Sequence, residues 1–179
     1  MMVTNLHDTK YFSRVRISFG EIATVGEIYA GNNRLPAQAF RRELGFFYIF
    51  QELRQSLVPY LDLRPLSPRE SELFVWTLKE EGVSFGVIAK DYDGKEKRVP
   101  WWVIKPLLRW QQSGGHSSVI SAVGTVFFIE AHPTEYERKP IGVYLSLDCG
   151  SLHSEWHLRP FSVEMKTRFP AGSVFLSVA

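Results

Sequence analysis

The chain is poor in the residues that announce a function. It has one cysteine, Cys149, among 179 residues, so an intrachain disulfide is excluded and a reducing compartment fits. No apolar run reaches the roughly 18 residues of a membrane span, and the start, MMVTNLHDTKYFSR, lacks a run of secretory length. These absences lead to the expectation of a soluble, cytoplasmic protein that does not enter a membrane. The phosphate-cradling patterns GxGxxG and GxxxxGK[ST] are missing. No cofactor is expected. Charge of one sign is also lacking: the formal net charge is only +2, which by itself calls for no polyanionic partner.

Aromatic residues, by contrast, are abundant, at 14% of the chain, enough to fill a core and leave rings over for a surface. The hydrophobic and charged fractions, 45% and 22%, are those of an ordinary globular protein, and the length suits a single domain over 1–179. Residues 1–9 read as a polar, frayed start. A strand region follows at 10–30, where YFSRVRISF alternates: Val15, Ile17 and Phe19 face a core, and Arg14 and Arg16 face outward.

Two main helices are expected in the N-terminal half. The first, 36–57, opens at Pro36 and places Phe40, Leu44, Phe47, Leu53 and Leu57 on one side. The second, 67–81, has Ser67 as N-cap, Pro68 at the first helical position, Glu70 at the capping-box spacing and Gly82 as its stop. Apolar runs rich in Val, Ile and Phe between turn clusters suggest antiparallel strands over 118–178. The expected fold is therefore α+β, with an antiparallel β-sheet of about five to seven strands.

Residues 66–89 resemble the helix-turn-helix output domains of bacterial response regulators. Leu66, Ser67, Pro68, Arg69 and Glu70 match the opening of their first helix, and Gly82, Val83, Ser84, Ile88 and Ala89 that of the second. The resemblance implies DNA recognition by the next helix, PWWVIKPLLRWQQ. Pro106 would lie inside that helix at a cost of ~3 kcal/mol, and the charged turn DYDGKEKR is too long for the motif. A β-hairpin over 83–104 is expected instead. A three-residue loop with Gly94 at the left-handed position sets Asp91 opposite Lys95 and Lys90 opposite Glu96, each pair contributing ~0.2–1 kcal/mol. Pro106 then opens a short helix, 106–112.

Three residue sets carry candidate chemistry. Asp148 with Glu164 and Lys166 resembles the metal-dependent PD-(D/E)xK nucleases; in a strand over 161–169 Glu164 and Lys166 would share a face, and the resemblance implies a divalent cation held by the carboxylates. Cys149, His153 and His157, with Asp148 and His132 as additions, are ligand types for zinc, although extended spacing separates the two histidines by ~13 Å. The third set is Lys95, Lys97, Arg98, Trp101, Trp102, Lys105, Arg109 and Trp110, joined by Arg14 and Arg16. Cations interleaved with rings suit nucleic acid, preferentially single-stranded, because rings stack bases for ~1–3 kcal/mol while Lys and Arg follow phosphates. The leading expectation is a non-enzymatic binding module using this surface. The alternatives are a protein-interaction or inhibitor module, with the same Trp and Arg residues as anchors, and the metal-dependent nuclease.

Overall fold

The computed structural model describes residues 2–18, 46–49, 72–99, 104–112, 114, 119–130, 140–149, 154–160 and 164–179. Strands dominate. They are β1 (Met2–Asn5), β2 (Phe12–Ser18), β3 (Phe46–Ile49), β4 (Glu72–Leu78), β5 (Val83–Ser84), β6 (Thr125–Glu130), β7 (Pro140–Cys149), β8 (Ser154–Pro160), β9 (Arg168–Phe169) and β10 (Val174–Val178). The helices among the described residues are short: α1 (Phe85–Ile88) is one turn and α2 is Ile104–Gln112. Eight strands form one sheet in the order β1-β2-β4-β10-β6-β7-β8-β3, and β5 pairs with β9 apart from it.

The expectation of two main helices is overturned. Residues 72–78, assigned to the helix 67–81, form β4, a strand with neighbours on both sides. Leu73 to Leu78 is an apolar run without alternation because both faces of this strand are covered: Leu73 and Val75 are buried on one, Trp76 and Leu78 on the other. A short apolar run carries no period, so the capping-box residues before it tipped the reading toward helix. Phe, Val, Trp and Thr fit a pleated surface. Gly82 does stop the element, but as a turn residue with φ +73 closing a strand. Within 36–57, residues 46–49 are the strand β3 and the remainder lies outside the described residues. Residues 2–5, read as a frayed start, pair with β2.

The sheet is mixed rather than antiparallel throughout. β6, β7 and β8 form the expected antiparallel meander, but β10 runs parallel to β6 and β3 parallel to β8. β10 is inserted between β4 and β6.

Among the described residues the 83–104 hairpin is not formed. Val83–Ser84 pairs with Arg168–Phe169, Phe85–Ile88 makes the turn of α1, and 89–99 continues irregularly. Ala89 N–H donates to Phe85 O and Tyr92 N–H to Ile88 O, at 2.8 and 2.9 Å. The hairpin offered charge pairs of ~0.2–1 kcal/mol each. The observed path buries Phe85, Ile88, Tyr92 and Val99, side chains each worth ~1.5–3 kcal/mol on transfer from water, and that difference decides it. Gly94 is not among the glycines with positive φ; it is required because the Tyr92 ring lies where its Cβ would be.

The segment 83–99 covers one face of the sheet. Register places Phe12, Trp76, Phe175, Val126 and Tyr144 on that face. Phe175, on the central strand, meets Phe12, Tyr92 and Phe169 edge-on at centroid distances of 5.8, 5.3 and 5.0 Å. Tyr92 Oη donates to Leu176 O at 2.7 Å. The opposite face is closed as well, with Ile17, Leu176, Phe127, Val143 and Leu145 all at 0% exposure.

Burial, and secondarily the Asp93 carboxylate, pushes the Tyr92 phenol well above the ordinary tyrosine value. An unfolded tyrosine releases its proton near pH 10, the folded one only at higher pH. Its contribution is thus complete below about pH 10 and is lost as the pH climbs through the folded pKa. Tyr92→Phe is expected to lose ~1 kcal/mol at neutral pH and to flatten the alkaline fall in stability, measured by urea denaturation between about pH 7 and 11. Gly94→Val is expected to lose about 1–3 kcal/mol by overpacking against that ring; an unchanged denaturation midpoint would show that the ring is not held there.

Candidate functional site

Rings and cations meet on the face covered by 83–99. Arg14 on β2 is the register partner of Trp76 on β4, and its guanidinium lies over the indole at 4.1 Å. Arg16, two residues on, is the partner of Phe74; its Nη1 is 3.9 Å from Glu72 Oε2, and Ser18 Oγ donates to Oε1 of the same carboxylate. Lys97 reaches down from the covering segment, its Nζ 5.7 Å from the Phe74 ring centre and 3.4 Å from Asp93 Oδ2. Lys95 stands 5.9 Å over Phe128. The turn carrying both lysines is pinned by Glu96 and Lys97 N–H groups on Asp93 O, by Val99 N–H on Phe128 O and by Val178 N–H on Lys97 O. Trp76 Nε1 donates to the buried Ser177 Oγ at 3.3 Å, which fixes the ring under Arg14.

Local sequence accounts for part of this. Alternation on β2 sends Arg14 and Arg16 to one side, as expected. That side is not open, however: it is the margin of a covered face, and both residues are half-buried. Long cationic side chains suit such a margin, since the stem lies on apolar surface while the head stays wet.

The charges are unequally answered. Glu72 takes Arg16 and Asp93 takes Lys97. Arg14 has no carboxylate partner among the described residues, and its Nε and that of Arg16 are enclosed without an acceptor. A buried unpaired donor costs about 1–3 kcal/mol, which offsets the ~0.5–2 kcal/mol of a cation held over an indole.

The other sequence candidates fall elsewhere. Arg98 donates its Nε to Lys95 O at 3.3 Å. Lys105, Arg109 and Trp110 belong to α2, and Trp110 is half-buried; Trp101 and Trp102 lie outside the described residues, as do His153 and His132. Glu164 and Lys166 occupy a turn before β9 rather than a strand. Both are exposed, and Lys166 Nζ is 4.0 Å from Glu164 Oε2. The alternation that set them on one strand face therefore does not apply. Asp148 is exposed near the end of β7, opposite Glu155 on β8. Cys149 pairs with Ser154, while His157 pairs with Ser146; Cys149 lies an odd number of residues from Ser146, so Cys149 and His157 point to opposite faces of the sheet. No cluster of three or more His, Cys, Asp or Glu able to hold a metal occurs among the described residues.

One cation–ring pairing escaped sequence reasoning. Arg159 on β8 is exposed and lies 4.9 Å over the ring of Tyr144, its register partner on β7. The signal was present only as a basic residue in an apparently ordinary strand, EWHLRPF. A shallow depression of about 270 Å³ beside Gly82 and Arg168 has no His or Cys in its lining.

No family model, no curated protein and no solved structure matches the chain. Among the described residues, no helix is long and apolar enough to cross a membrane.

If Arg14 served only stability, removing it would be costly. The orphaned Nε argues otherwise: Arg14→Met, which keeps the apolar stem, is expected to change the unfolding free energy by less than about 1 kcal/mol. A loss above about 3 kcal/mol in urea denaturation would assign Arg14 to the core instead.

Proposed function

We propose that the chain is a non-enzymatic binding module whose ligand is nucleic acid, single-stranded by preference. The observation that carries this reading is Arg14, a cation held over Trp76 with no carboxylate partner among the described residues. Arg16, Lys95 and Lys97 stand on the same face. Four cations in one neighbourhood favour a polyanion, whose phosphates would release counterions on contact. Because the rings are already covered by cations, bases would stack on guanidinium planes rather than on the indole itself.

The test is a titration of intrinsic tryptophan fluorescence with a short DNA and a short RNA oligonucleotide at several salt concentrations. Saturable binding is expected, with log K falling linearly against log salt by about 0.7 per phosphate neutralised. Arg14→Ala is expected to weaken it several-fold. A failure to bind either oligonucleotide at about 50 mM salt would overturn the reading. So would a slope near zero, which is the behaviour of an apolar protein interface.

A further inference from the structure

Arg14 and Arg159 are far apart in sequence but lie on one line. Strand register runs unbroken from Arg14 to Trp76, Phe175, Val126, Tyr144 and Arg159. These six residues cross six strands on one face, roughly 24 Å at ~4.8 Å per strand spacing. Each end of the row carries the same device, an arginine over the neighbouring ring, at 4.1 Å for Arg14 on Trp76 and 4.9 Å for Arg159 on Tyr144. Neither arginine has a carboxylate partner among the described residues. Between them the segment 83–99 covers the row, and it carries Lys97 above Phe74 on β4 and Lys95 above Phe128 on β6. In order across the sheet the cations are Arg14, Lys97, Lys95 and Arg159.

We infer that these four cations form one track, along which a single strand of nucleic acid would cross the sheet at right angles to the β-strands from Arg14 to Arg159. The inference rests on the nucleic-acid reading above and adds its path, its length and Arg159. The four cations stand 4.1 to 5.9 Å from the ring centres of the sheet, and Lys97 and Lys95 lie over Phe74 and Phe128, two residues along their strands from Trp76 and Val126, so the track bows sideways in the middle. A flexible strand follows such a path, whereas a duplex, stiff over this distance, cannot touch all four cations. The span corresponds to about seven nucleotides at the ~3.4 Å per nucleotide of a stacked strand. Asp93 and Glu72 lie at the margin of the track but are already occupied by Lys97 and Arg16.

The experiment is fluorescence anisotropy of labelled single-stranded oligonucleotides of about four, eight and twelve nucleotides, with the full chain and its variants. Affinity is expected to rise steeply to about eight nucleotides and little beyond. Arg159→Ala is expected to weaken the eight-mer several-fold and to lower its salt slope by about 0.7, as Arg14→Ala does. Arg159→Lys should recover the slope, because it restores the charge. Lys79→Ala, an exposed cation beyond the end of β4 that is already held by Asp8 and by Thr9 O, serves as the off-track control and should change neither. If Arg14→Ala weakens binding while Arg159→Ala alters neither affinity nor slope, the track is overturned and the nucleic-acid reading stands. A duplex that binds as tightly as its single strand also overturns the track alone. Absence of binding at every length removes both.

Discussion

Everything in this protein hangs on the covering of one aromatic residue, Phe175, at the centre of the sheet. It sits on β10, between β4 and β6, and meets the rings of Phe12, Tyr92 and Phe169 edge-on. A ring in the middle of an eight-stranded sheet needs a second layer, and the segment 83–99 supplies it with Phe85, Ile88 and Tyr92. The Tyr92 hydroxyl is then carried into the interior, where the carbonyl of Leu176 accepts its hydrogen bond. A phenol buried without that acceptor would forfeit much of what its ring contributes. The polar contact therefore sets where the covering segment can rest, and the close approach of Gly94 to the same ring sets how the chain leaves it.

The cationic surface follows from the limits of that cover. A segment of this length closes the middle of the face and leaves its margins half open. Of the rings around it, Trp76 and Phe128 are buried and Phe74 and Tyr144 half-buried, and each is met by a lysine or arginine. An amphipathic side chain is the natural border between a ring and water, so the cations first belong to the packing. Where an acid is at hand, as at Glu72 and Asp93, the charge is neutralised locally. Arg14, Lys95 and Arg159 each lie over a ring and have no carboxylate partner among the described residues. The structural role and the proposed binding role would thus share the same atoms, and removing charge while keeping the stem separates them.

Parts of this were legible in the sequence. The alternation of β2 placed Arg14 and Arg16 together on one side, and the meander of β6, β7 and β8 followed from its turn clusters. The basic cluster at 95–98 was visible as composition. The helix expected over 67–81 was not a misjudged boundary: Leu73 to Leu78 has no period because it is buried on both sides, and nothing local says so. The hairpin expected over 83–104 failed for a related reason. Its cross-strand charge pairs are real local preferences, but they are small beside the burial of Phe85, Ile88 and Tyr92 against a sheet assembled from distant strands.

By itself, then, the sequence determined the materials and the short-range geometry: many rings, cations interspersed with them, the facing of β2, and a glycine able to turn the chain after β4. Only the tertiary structure decided that β10 would lie between β4 and β6, that 83–99 would become a cover rather than a hairpin, and that Arg14 and Arg159 would fall on one row. The reason is physical. Register across a sheet is fixed by burying both of its faces at once, and that free energy belongs to all the strands together, not to any one of them.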